Sequence, residues 1–174
     1  KQERGIVMYH TPVLLHESIE GLNIKPGGIY VDVTFGGGGH SKEILARLIT
    51  GRLFAFDQDE DAERNTIKDE RFTLVRENFK NLKKSITVPV DGILADLGVS
   101  SHQFDSEERG FSTRMNGRLD MRMDKSGEFT ASEVLNTYEE AKLKKLFREY
   151  GEIDNASRLA RLIVEERQKR KIDT

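Results

Sequence analysis

The chain has 174 residues, 36% of them hydrophobic and 33% charged, with a net charge of −2 and no cysteine. That length allows one domain with a real core, or one domain plus an appendage. The composition excludes disulfides and thiolate metal sites, and the near-neutral charge argues against a surface built wholly for a polyanion, though not against a local basic patch.

Taken in chain order, Thr11-Pro12 ahead of Val13-Leu14-Leu15 predicts a helix start, with Thr11 as cap and Pro12 where its missing N–H is harmless, and a stop near Gly21. Pro26-Gly27-Gly28 is a turn. In 29–33, Ile29, Val31 and Val33 alternate with Tyr30 and Asp32, a β-branched strand that runs into four glycines, Gly36 to Gly39. Helical spacing resumes over Ser41–Ile49 and ends before Gly51. A second strand, 52–56, leads into Asp57-Gln58-Asp59, with Asp59 as the cap of a helix over 60–69. A third strand over 72–75, a weaker helix over 79–86 and a fourth strand over 90–97 follow. Strands alternating with helices at this spacing predict an α/β fold with a parallel sheet and right-handed crossovers. Residues 99–127 are rich in Ser, Gly, Arg and Asp and read as a long loop. From Phe129 on the pattern is helical, with capping boxes at Thr130/Glu133 and Thr137/Glu140, a stop at Gly151 and a last helix over 155–170.

The glycine run is the most informative stretch. Four glycines cost backbone entropy that an ordinary turn does not require, and they let the chain lie flat against a ligand. A strand, a bare turn and a helix N-terminus in that order make a nucleotide crevice, because the first helical N–H groups point into it. A triphosphate loop needs Lys-Ser/Thr at the helix start, and His40-Ser41 stands there instead. Lys42 occupies the place of the third small residue of a dinucleotide fingerprint, which weakens NAD. A nucleoside without pyrophosphate remains, and S-adenosylmethionine fits that description.

Asp57 ends the second strand, where a carboxylate can accept from both ribose hydroxyls; a plain capping role is the alternative. Asp96 follows the apolar stretch of the fourth strand, beside the crevice where such folds place chemistry. His40 and His102 flank the same crevice in this reading. The four histidines, His10, His16, His40 and His102, form no HxxxH or HExxH pair, so no metal site is expected. In the loop, Phe104 or Phe111 could stack on a base and arginines could meet phosphates, against an equal alternative in which Arg–Asp pairs hold each other. The basic run Arg167 to Lys171 complements a helix dipole first and a nucleic acid second. No apolar run reaches membrane-spanning length and no signal-peptide pattern opens the chain, so a cytoplasmic protein with no membrane partner is expected.

The strings HTPVLLHESIEGL, YVDVTFGGGGHS, FAFDQD, DGILADLGVSSHQ, ERGFS, LDMRMD and REYGE occur in this order. Together they closely resemble the bacterial small-subunit ribosomal RNA (cytosine-N(4)) methyltransferase family over nearly the whole chain. The resemblance implies a Rossmann-like, S-adenosylmethionine-dependent methyltransferase sheet, with its first four parallel strands present and an all-helical inserted domain. It divides the chain into the N-terminal part of the cofactor-binding domain, 1–124, and the start of the helical insert, 125–174. It also implies methylation of the exocyclic amine of a cytidine in the decoding region of 16S ribosomal RNA, so the partner is that RNA or the small ribosomal subunit. A second copy of the chain is carried as a candidate partner. By position, the family's cofactor contacts fall on Gly39, His40, Ser41, Asp57, Phe79, Asp96 and Gln103. Phe79 would pack on the adenine, and Asp96 is the expected catalytic acceptor. The family continues with further strands, a SFHSLEDR-like segment and a basic tail, so the expectation is either a fragment or a chain that ends where order ends. Where the family has GEE and an aromatic, this chain has Gly151-Glu152-Ile153-Asp154. Two further functions stay open: a dinucleotide-dependent oxidoreductase, and a cofactor- or RNA-binding fragment without turnover.

Overall fold

The computed structural model describes residues 12–174. By backbone contacts the chain forms two compact units, residues 1–100 and residues 101–174. The boundary expected at 124/125 lies inside the second unit, which takes in the long loop with the helices.

In the first unit four parallel strands, β1 (Ile29–Asp32), β2 (Arg52–Phe56), β3 (Phe72–Val75) and β4 (Gly92–Leu94), lie in the order β3-β2-β1-β4. This is the order of one half of a doubly wound sheet, with the direction of winding reversing beside β1. The register sets Asp32 against Ala55 on one side and Leu94 on the other. Helix α1 (Leu15–Gly21) and helix α2 (Gly39–Arg47) precede and follow β1.

Despite the alternation in 29–33, Tyr30, Val31, Asp32 and Val33 are all buried. Both faces of a central parallel strand are covered. Tyr30, Leu53, Ala55 and Leu94 join Ile19, Ile44, Leu45 and Leu48 in one core. Val31, Val33 and Phe56 join Leu82, Ile86 and Val90 in the other. Each fully buried aliphatic side chain here is worth about 1.5–3 kcal/mol.

Several elements differ from expectation, each for a local reason. Leu14 sits at φ 50, which no right-handed helix accommodates, so α1 starts at Leu15; Thr11, its expected cap, lies outside the described residues. Helix α2 begins two residues early, at Gly39, and stops at Arg47 because Leu48 is extended. The helix expected over 60–69 is a 3-10 turn, Glu60–Asn65, capped as expected by Asp59, which accepts from the N–H of Asp61 at 3.1 Å. The weak helix at 79–86 splits into a 3-10 turn, Phe79–Asn81, and the single turn α3 (Leu82–Ser85). β4 is three residues long rather than eight, because a side chain joins its ladder beside the Asp91 N–H to Ile29 O bond at one end and replaces the backbone acceptor at the other. Asp91 accepts the N–H of Ile29 at 2.9 Å, and Thr34 accepts the N–H of Asp96 at 2.8 Å.

In the second unit the loop carries a short helix, α4 (Ser101–Asp105), and a 3-10 turn, Glu107–Arg109. Three helices follow, α5 (Ala131–Thr137), α6 (Glu140–Glu149) and α7 (Ala156–Arg167). The box at Thr130/Glu133 forms in both directions. The one at Thr137/Glu140 does not, since the Thr137 hydroxyl donates back to Glu133 O at 2.7 Å. Leu143 of α6 and Ala156 and Ala160 of α7 are buried where these helices pack. Among the described residues no helix is long and apolar enough to cross a membrane.

The turn before β2 is packed backbone to backbone. The N–H groups of Ile49, Thr50 and Gly51 all donate to Pro26 O, and a Cβ on Gly51 would sit 2.2 Å from Gly28 O. Replacing Gly51 by Ala should therefore lower stability in urea unfolding by about 1–3 kcal/mol. Gly21, with nothing within 4 Å of its Cβ position, is the control; Gly21→Ala should stay within about 0.5 kcal/mol of the parent.

Candidate functional site

Period-2 geometry puts Asp32 on the same face of β1 as Tyr30, where helix α2 covers the sheet. An apolar side chain is the usual occupant of such a place, yet a carboxylate stands there, 1% exposed. Its Oδ2 accepts the Ser41 hydroxyl at 2.7 Å. Its Oδ1 accepts the backbone N–H of Thr34 at 3.0 Å and the Thr34 hydroxyl at 3.4 Å. Burial raises its pKa above the ordinary carboxylate value, against these hydrogen bonds and the nearby His40, which lower it. Asp32 was absent from the sequence-derived site. The signal that could have found it is a carboxylate two residues after a buried tyrosine, with a serine at the start of the covering helix.

The glycine turn follows. Gly36 and Gly38 hold φ of 49° and 74°, where a Cβ is disfavoured, and Gly38 occupies the N-cap position of α2. The turn is braced from β2. Asp57 Oδ2 accepts the N–H of Gly36 at 2.8 Å, and Oδ1 accepts the N–H of Asp59 at 2.8 Å. Asn65 Nδ2 donates to Gly36 O at 2.9 Å, so both polar groups of that peptide are held. Each Asp57 oxygen keeps a second lone pair, enough to accept a diol hydroxyl without releasing the loop. Burial raises the pKa of Asp57, against the lowering N–H groups of Asp59 and Gly36.

Gly39, His40 and Ser41 form the first turn of α2, whose N–H groups by geometry lack intrahelical acceptors. His40 is 5% exposed, and among the described residues its Nε2 meets no hydrogen-bond partner. Such an orphaned buried nitrogen suits a site that takes a polar ligand.

At the far side of β1 the ladder continues from Val33 N–H to Leu94 O, 2.9 Å, before Thr34 takes the N–H of Asp96. The Asp96 carboxylate itself is exposed. Thr34, Gly36, Asp57 and Asp96 thus gather at the carboxyl ends of β1, β2 and β4, the end where open parallel sheets bind ligands. Phe79 begins the turn after β3 and is 44% exposed. Its neighbour Asn78 is tied to the residue after Asp57, its Nδ2 donating to Gln58 Oε1 at 2.7 Å.

The remaining sequence candidates lie in the second unit. Gln103 is buried within α4, and His102 beside it is exposed. In the loop Arg122 pairs with Asp120, Nη2 to Oδ2 at 2.6 Å and Nε to Oδ1 at 2.9 Å. The basic end of α7 is engaged within the chain. Arg167 donates to Leu135 O and Tyr138 O, while Lys169 and Arg170 pair with Glu166. Among the described residues no three His, Cys, Asp or Glu side chains group as a metal site.

Because the folded pKa of Asp32 is raised, the folded chain holds its proton to higher pH than the unfolded chain does. The stability tied to that proton is complete below the ordinary value of 3.8 and is lost as pH rises through the folded value. Asp57 acts in the same sense. Asp32→Asn should therefore flatten the fall in unfolding free energy as pH rises above the ordinary carboxylate value of 3.8. Urea midpoints across that rise would check it, and parallel profiles for the two proteins would contradict it.

The MraW methylase family matches residues 7–174. The ribosomal RNA small subunit methyltransferase H of Flavobacterium johnsoniae is 61% identical over 171 residues, covering 95% of this chain and 57% of the relative. Those of Christiangramia forsetii and Phocaeicola vulgatus are each 58% identical, covering 97% and 96% of this chain. The chain thus spans somewhat over half the length of the curated relatives it matches. Among solved structures, an rRNA methylase from Streptococcus thermophilus matches 51% of this chain and 55% of its own, at 22% identity and a TM-score of 0.39. With its family match running nearly end to end, the chain belongs to the MraW methylase family.

Proposed function

We propose that the protein to which this chain belongs transfers a methyl group from S-adenosylmethionine to the exocyclic amine of a cytidine in the decoding region of 16S ribosomal RNA. What carries the reading is the glycine turn braced by Asp57 beside an exposed Asp96, in a chain of the MraW methylase family. The names of the relatives support a small-subunit RNA substrate. The cytosine amine and the decoding region rest on the resemblance of DLGVSS, ERGFS and LDMRMD. In this reading residues 125–174 begin the helical insert.

S-adenosylmethionine would supply an electrophilic methyl group on a sulfonium. The residues fit it. Gly39, His40 and Ser41 would meet it at the start of α2, whose first N–H groups lack intrahelical acceptors and where the buried His40 Nε2 meets no partner among the described residues. Asp57 would take the ribose hydroxyls and Phe79 would offer its exposed ring to the adenine, while Asp96 and Gln103 belong to the set by family resemblance alone.

The cytosine amine is a poor nucleophile, because its lone pair is delocalised into the ring. The base must leave its stack to enter the site. Asp96 would accept an N–H hydrogen of the amine, hold its lone pair toward the methyl donor, and take up the proton that the amine loses as the methyl passes from sulfur to nitrogen, leaving a neutral thioether. Many amino-methyltransferases use an Asp-Pro-Pro-aromatic turn here. In this chain Asp96-Leu97-Gly98-Val99 stands in that place, so the aromatic that clamps the base comes from elsewhere.

In the full-length protein Asp96→Ala should lower methyl transfer to small ribosomal subunits by about a hundredfold or more; full activity would overturn the assignment. Asp57→Ala should weaken S-adenosylmethionine binding in calorimetry by about tenfold or more, since it removes the diol acceptor and frees Gly36. Tight binding of NAD instead would favour the oxidoreductase.

A further inference from the structure

We infer that Thr34 is a positioning residue for Asp96, its hydroxyl serving as the peg from which the chain turns off β4 into the site. This rests on the reading of Asp96 given above. In the parallel register Asp32 faces Leu94, so Thr34 comes opposite Asp96, one residue past Val33 and two past Leu94, which share the last backbone bond, Val33 N–H to Leu94 O. A regular ladder would continue to the main chain and keep β4 extended. Instead the Thr34 hydroxyl oxygen accepts the N–H of Asp96 at 2.8 Å. An N–H can only donate, so the hydroxyl proton must go elsewhere, and Asp32 Oδ1 lies 3.4 Å away. Thr34 is itself held through its own N–H to the same oxygen at 3.0 Å, and Asp32 is held by Ser41 at 2.7 Å. The chain of bonds runs from the first turn of α2, through a buried carboxylate, to the backbone of Asp96. It fixes the main chain of Asp96 while leaving its carboxylate exposed and unspent. The glycine turn and the methyl acceptor's partner are thereby set on one frame.

The test uses the full-length protein in single-turnover methyl transfer to small ribosomal subunits, with Thr34→Val, Thr34→Ser, Asp96→Ala and the Thr34→Val/Asp96→Ala pair. Valine keeps the shape and removes the hydroxyl. Thr34→Val should slow transfer by about tenfold, with calorimetric S-adenosylmethionine affinity and thermal midpoint near those of the parent. Thr34→Ser should restore the rate to within about threefold, and the pair should be no slower than Asp96→Ala alone. Should the valine variant unfold, Thr34→Ala carries the same readouts. A parental rate in Thr34→Val, a serine variant as slow as the valine, a loss confined to cofactor affinity, or a further slowing in the pair would each overturn the inference. Full activity in Asp96→Ala would overturn the reading of Asp96 and this one with it. An inactive Asp96→Ala beside an unaffected Thr34→Val removes only the role of Thr34.

Discussion

A single buried carboxylate organises the first unit. Asp32 stands in the apolar layer between sheet and helix, and desolvation alone would expel it. It stays because three donors converge on it, from Ser41 and from the backbone and hydroxyl of Thr34. Those donors belong to the helix that follows the glycine turn and to the segment that enters it. The two sides of the turn are consequently tied to one point inside the core. Asp57 adds a second anchor from the neighbouring strand. A loop with two positive-φ glycines has little conformational preference of its own. Its shape here is imposed by carboxylates that lie outside it.

Much of this was legible in the residues. The strands 52–56 and 72–75 stand where β-branched and aromatic runs placed them, and the glycine turn does open onto a helix. The candidate residues Asp57 and Asp96 lie just past the ends of β2 and β4, because apolar runs end abruptly at acidic positions. What escaped was tertiary. The burial of Asp32 was not marked, since alternation cannot tell a solvated face from one covered by a helix. The length of β4 was overestimated because its apolar run goes on to Leu97, while its backbone bonds stop at Leu94. Only the three-dimensional neighbour, a threonine sixty-two positions earlier, ends it. Thr137 shows the same limit on a smaller scale: a hydroxyl suited to capping the next helix bonds back to the previous one. Phe79 and Gln103 came from family resemblance, and neither spacing nor periodicity marks them.

The second unit is held together differently. Its fully buried apolar side chains are few, and polar side chains bonded to the backbone take up much of the task. Arg109, 2% exposed, donates to Arg122 O at 2.9 Å and Met123 O at 3.3 Å. Arg122 reaches Gly127 O while paired with Asp120. Asn136 exchanges two bonds with Ile172. A guanidinium with five fixed donors can organise several turns of loop that bury little apolar surface, where a lysine could not. The charged residues that make 99–127 look like solvated loop are thus, in part, its internal scaffold.

The short fourth strand has a consequence for how such a site can change over time. Bonds between backbone groups are indifferent to side-chain identity, so a ladder made of them cannot be edited one residue at a time. Where Asp91 joins the ladder and Thr34 stands in for it, the geometry of each strand end is written in a single codon. Substitutions at these two places can alter where the chain leaves the sheet and how it enters the crevice, with the packed strands untouched. The ends of β4 are therefore the points at which this fold can acquire new loop trajectories without rebuilding its core.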